Sequence, residues 1–151
     1  MPHSKILIAS DHAGFSLKEA LRKLLPEWEW VDLGTFSAEK ADYPDYAEKV
    51  ASQVSSGAAQ TGVLVCGSGI GMSIAANKFA GVRAAVVENP VAARLAREHN
   101  HANVLCLGAR FLAPEYASDI VRSFLEASYS QEERHQKRVE QIARLEKKTF
   151  K

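Results

Sequence analysis

Residues 62–78 read GVLVCGSGIGMSIAANK. A short apolar run ends at Cys66, and Gly67, Ser68, Gly69, Ile70 and Gly71 follow before a helical pattern begins. Glycines let a backbone adopt positive φ and approach a ligand closely. The N–H groups of such a loop and of the first helical turn point at whatever negative charge lies there, a phosphate or an oxyanion formed during reaction. A thiol beside those donors is favoured as the thiolate, which serves as a base or a nucleophile. A free cysteine also has a plain reading as a small buried hydrophobe, and a glycine-rich turn can be purely structural. Cys106, inside the apolar run NVLCLG, takes the plain reading.

Spacing separates this loop from nucleotide-binding loops. A dinucleotide fingerprint needs glycine at its first, third and sixth positions; counted from Gly67, the sixth is Met72. A P-loop needs lysine followed by serine or threonine, which is absent. A phosphatase loop of the C-x5-R type would need arginine where Met72 stands.

Other candidates sit at the ends of elements. Asp11 and His12 follow the first apolar run, Arg110 follows the last, and His99 and Asn100 close a helical run. Arg134 and Arg138 are four apart on one helical face. Histidine titrates near neutrality and suits proton transfer. Paired guanidinium forks suit a phosphate dianion. Plain readings stand beside these: Asp11 as a turn residue, His99 as a helix C-terminal cap, and the arginine pair as a solvated face.

The elements that must position these groups alternate along the chain. Apolar strand runs are expected at residues 5–10, 28–33, 63–66, 83–87 and 103–108. Helical patterns are expected at 15–25, 44–56, 71–79, 91–100 and 114–128. This alternation predicts an α/β fold, a three-layer αβα domain with a five-stranded parallel sheet. Runs such as VLVC are apolar throughout because such strands are buried on both faces. Ligands in open parallel sheets bind beyond the carboxyl ends of the strands. A further helix over 131–148 carries only a narrow apolar stripe of Val139, Ile142 and Leu145, the pattern of a helix that docks on a partner subunit.

The chain has 151 residues, 46% hydrophobic and 25% charged, which suits one domain with one sizeable core. Its net charge of +1, from 19 basic and 18 acidic residues, builds no basic field for nucleic acid. No apolar run approaches a membrane span, and the first residues carry no signal-peptide pattern, so a cytoplasmic protein is expected. Two cysteines are too few for a disulfide scaffold, and the five histidines form no zinc spacing.

The segments SDHAGFSLK, DLGTFS, DYPDYA, CGSGIGMSIAANKFAGVRAA, AREHNHANVLCLGAR and RHQKRVEQI, in this order, closely resemble the type B ribose-5-phosphate isomerases, which share a family with the galactose-6-phosphate isomerase subunits. The match runs from about Ile6 to Leu145. It implies a Rossmann-like fold and a homodimer or tetramer with active sites between subunits. The substrate implied is a phosphorylated sugar, with neither metal nor organic cofactor. Cys66 matches the base that moves a proton between C2 and C1 of the open-chain sugar; some members use a glutamate at the place of Met72. Gly67, Ser68, Gly69, Ile70 and Gly71 match the loop that stabilises the enediolate. His99 matches the acid/base that opens the furanose ring, assisted by Asp11, and Asn100 a residue binding sugar oxygens. His12, Arg110, Arg134 and Arg138 match the phosphate-binding set. A six-carbon phosphate substrate, or a non-catalytic sugar-phosphate or nucleotide sensor, are the alternatives.

Overall fold

The computed structural model describes residues 5–150. Its strands are β1 (Lys5–Ser10), β2 (Glu29–Asp32), β3 (Gly62–Cys66), β4 (Ala84–Val86) and β5 (Val104–Gly108). Its helices are α1 (Phe15–Leu24), α2 (Tyr43–Ser56), α3 (Ile70–Ala76), α4 (Pro90–Asn100), α5 (Pro114–Glu126) and α6 (Glu133–Thr149). All strand pairs are parallel, in the order β2-β1-β3-β5-β4. The three-layer αβα architecture is the one the alternating pattern predicts.

Strand periodicity divides the core in two. Ile6, Ile8, Val63, Val65, Leu105 and Leu107 face one way, onto α1, α4 and α5. Leu7, Ala9, Leu64, Cys66, Val104 and Cys106 face the other way, onto α2 and α3. Burial on both faces is why β3 and β5 read as unbroken apolar runs. The chain steps from β1 to β2 on one side and returns to β3 on the other. The crevice that this reversal opens lies beyond the ends of β1 and β3, where Asp11 and Cys66 stand.

Most boundaries shift by one to three residues from the sequence reading, and two of the shifts have a clear local cause. The third helix stops at Ala76 rather than near Phe79. Asn77 accepts from Ala84 N–H at 2.8 Å and donates to Ala84 C=O at 3.0 Å, so its side chain serves as a partner for the edge strand β4. The second helix begins at Tyr43, one residue before Pro44, because proline is well placed in a first turn. Among the described residues no helix is long and apolar enough to cross a membrane.

Candidate active site

Cys66 ends β3 with its side chain 4% exposed. The Gly69 N–H donates to its Sγ at 3.1 Å. Gly69 takes φ +77°, a region that L side chains rarely adopt, and an added Cβ would lie 2.8 Å from the Leu107 carbonyl carbon. Only glycine therefore turns the chain back over the thiol here. Ser68 Oγ accepts from the Ile70 N–H at 3.2 Å, which fixes the hydroxyl at the rim of the loop. The turn after β5 is stapled to this loop: Ala109 N–H donates to Cys66 C=O at 2.9 Å and Arg110 N–H to Gly67 C=O at 3.0 Å. That staple lays the Arg110 side chain against Gly67.

On the β1 side, Asp11 is buried and its Oδ1 accepts from the Gly14 N–H at 2.9 Å. This is the turn role that sequence reading allowed for it, and the aspartate also lines the cleft. His12 Nδ1 lies 3.0 Å from the Ala41 carbonyl oxygen and 3.2 Å from the Ala41 nitrogen. Either contact commits Nδ1 and leaves Nε2 with no protein partner among the described residues.

Asp11, His12, Cys66, Gly67, Ser68, Gly71 and Arg110 thus line one cleft of about 320 Å³, with Ala13 and Tyr43. Gly69 and Ile70 complete the loop behind it. The Arg110 side chain forms no hydrogen bond or ion pair among the described residues, so its donors are available to an anion. Tyr43 was not singled out by the sequence. Its ring lies over Gly71, where a Cβ would come within 2.6 Å of Cζ. The signal was the DYPDYA segment, whose first tyrosine the helix boundary hid. Met72 is fully buried in the same apolar cluster as Cys66 and offers no proton acceptor.

His99, Asn100, Arg134 and Arg138 do not join this cleft. Helix α4 leads from the carboxyl end of β4 to the amino end of its parallel neighbour β5. Its 11 residues put His99 and Asn100 on the order of 16 Å from its start, at the opposite end of the sheet from Cys66. There the His99 ring stacks on His135 of α6, with centroids 4.0 Å apart. His135 is buried, and Ser130 Oγ lies 2.9 Å from its Nδ1. The His135 imidazole is held below the ordinary histidine range, first by burial and then by the neighbouring His99, Arg134 and Arg138. Arg134 is exposed and pairs with Glu132 at 2.9 Å; Arg138 is exposed and has no ion pair among the described residues. Each chain thus carries these groups as two clusters at opposite ends of its sheet. Among the described residues no three His, Cys, Asp or Glu side chains group as a metal site.

The fold and cleft define an open-sheet α/β protein with a buried thiol, a carboxylate and a free guanidinium around a glycine loop. Comparison with known proteins places it more closely. The ribose/galactose isomerase family profile matches residues 6–142, and the chain belongs to that family. It is 47% identical over 146 residues to ribose-5-phosphate isomerase B of Escherichia coli, covering 95% of this chain and 97% of that one. The solved structure of Clostridium thermocellum ribose-5-phosphate isomerase B superposes with a TM-score of 0.91 at 47% identity, covering 95% and 98% of the two chains. Ribose-5-phosphate isomerase B of Mycoplasma genitalium, solved with bound ribulose 5-phosphate, superposes with a TM-score of 0.89 at 43% identity, covering 96% and 97%.

Proposed function

We propose that this chain interconverts ribose 5-phosphate and ribulose 5-phosphate through an enediolate, with Cys66 as the base. The observation that carries the reading is the convergence of Cys66, Asp11, His12 and Arg110 on one cleft closed by the glycine loop. The thiolate takes the proton from C2 of the open-chain aldose. Negative charge grows on O1 as the enediolate forms, and the loop N–H groups and the Ser68 hydroxyl meet it. As the O2 hydroxyl proton passes to O1, the base returns its proton to C1 and C2–O2 becomes the carbonyl, which yields the ketose without net change in protons. His12 and Arg110 hold the phosphate from one side.

The sugar is mostly a closed furanose, so a proton must first reach its ring oxygen. His99 is the group suited to that step, with Asp11 as its aid across the sugar. Because His99 and Cys66 lie at opposite ends of one chain, a complete site needs a second copy. We assign His99, Asn100, Arg134 and Arg138 to that copy, in a homodimer or a tetramer of such pairs. The exposed Ile142 and Leu145 of α6 fit a helix that docks there.

The test is ribulose 5-phosphate formation from ribose 5-phosphate in EDTA, with wild type beside Cys66→Ala. Turnover by wild type and a fall of roughly 10²–10⁴-fold in kcat for the variant, with binding retained, support the assignment. Equal turnover would remove Cys66 from the mechanism. Turnover of six-carbon phosphates alone would move the substrate, and tight mononucleotide binding without turnover would favour a sensor.

A further inference from the structure

A larger cavity, about 700 Å³, opens at the amino end of the sheet, away from Cys66. Its walls include Thr61, Arg83, Arg97, His101, Asn103 and Tyr129. Arg83 Nε donates to the His101 carbonyl at 2.6 Å and one Nη to the Gly81 carbonyl at 3.2 Å. Arg97 donates from one Nη to the Ala102 carbonyl at 2.9 Å, and its guanidinium lies 5.0 Å from the Phe124 ring centroid. These contacts fix both guanidinium groups and leave the second Nη of each without a protein acceptor among the described residues. Neither arginine forms an ion pair with a described carboxylate. Glu146, the carboxylate whose field reaches Arg83, spends Oε2 on the Gly81 N–H at 2.8 Å. His101 stacks on Tyr129 with centroids 4.0 Å apart and completes the wall.

Two half-buried like charges face one cavity with no ion pair to either, offset only in part by the fields of Glu146 and Tyr129 at Arg83, and that arrangement is unfavourable unless something more offsets it. Burial disfavours the charge on each guanidinium, Arg83 adds repulsion at Arg97, and both add it at His101. A dianion would attract all three groups and so offset both the burial and the mutual repulsion, and fixed guanidinium donors match tetrahedral oxyanions. We propose that this cavity is a second phosphate-binding site, formed by Arg83, Arg97 and His101 and separate from the cleft at Cys66. It takes inorganic phosphate or the phosphate of a small monoester. Because Arg83 and Arg97 grip the carbonyls of His101 and Ala102, the site adjoins the segment that carries His99 and Asn100.

The experiment is a titration of the histidine ring protons by NMR with inorganic phosphate, at ionic strength held constant with chloride. His101 reports this cavity, and His12 reports the Cys66 cleft. The expected result is a saturable His101 shift that survives Arg110→Ala and is weakened at least about tenfold by Arg83→Gln. Should Arg83→Gln not fold, Tyr129→Glu sets a carboxylate beside the arginines and is expected to abolish the shift. Glycerol 2-phosphate run in parallel separates the sources: tighter binding marks a monoester site, equal binding a site for free phosphate. A His101 signal that stays still while His12 moves would overturn the proposal. So would a shift that never saturates, or one lost in Arg110→Ala.

Discussion

The two cysteines show how position decides reactivity. Cys106 lies within β5, fully buried, and burial followed by the nearness of Cys66 pushes its thiol far above the usual range. Cys66 ends its strand at the cleft and receives a backbone N–H. Alkylation at neutral pH is expected to modify Cys66 first, and ribose 5-phosphate to protect it; mass spectrometry locates the adduct. Labelling of Cys106 first would reverse this reading. Gly69→Ala forces a side chain to positive φ against the Leu107 backbone and is expected to cost on the order of 1–3 kcal/mol, read from the denaturation midpoint. The loop and its thiol were legible because their types are unusual and adjacent. Tyr43 was not, because its role depends on a contact with Gly71 made across the fold.

At the scale of elements, α1 is pinned to β2 by a lysine with no exposure. Lys18 Nζ donates to both Asp32 oxygens at 2.8 and 2.7 Å, and Arg22 reaches the same carboxylate at 3.2 Å. Asp32 Oδ1 also accepts from Gly34 N–H, and the Gly34 carbonyl accepts from Ser10 N–H at 2.7 Å, next to Asp11. Asp32→Ala leaves the buried lysine only Glu19, whose Oε1 lies 3.1 Å from Nζ, and is expected to cost roughly 2–4 kcal/mol in chemical denaturation. Lys18→Met leaves Asp32 with Arg22 and is expected to cost less; the reverse order would contradict this reading of the pair. At the other end of the sheet, burial is the first cause holding both His101 and His135 below the ordinary histidine value of 6.5. The unfolded chain then binds more protons than the folded one, so stability is fully present above that value and falls as pH drops through it. A denaturation midpoint that stayed level between pH 7.5 and 5.5 would contradict this. The elements themselves were legible from apolar periodicity, but the end of α3 was not. Asn77 reads locally as a tolerable helix residue, and only its two bonds to Ala84 explain why the chain turns there.

For the whole molecule, the sequence lists one set of site residues and the fold separates it. Alternating elements announce a parallel sheet, and the reversal between β1 and β3 fixes where Asp11 and Cys66 meet. Nothing in sequence order says that α4 carries His99 to the far end, since that follows from the parallel pairing of β4 and β5. The separation is the physical argument for a site shared between two copies, and mixing inactive variants tests it most directly. Cys66→Ala and His99→Ala each remove the proposed proton-transfer group of one cluster. Unfolded together in equal amounts and refolded, they give mixed dimers in which one site keeps both groups. Recovery of about a quarter of wild-type ribose 5-phosphate isomerisation is expected from parents that each lack turnover alone. If mixed dimers form but no activity returns, Cys66 and His99 do not act across two chains.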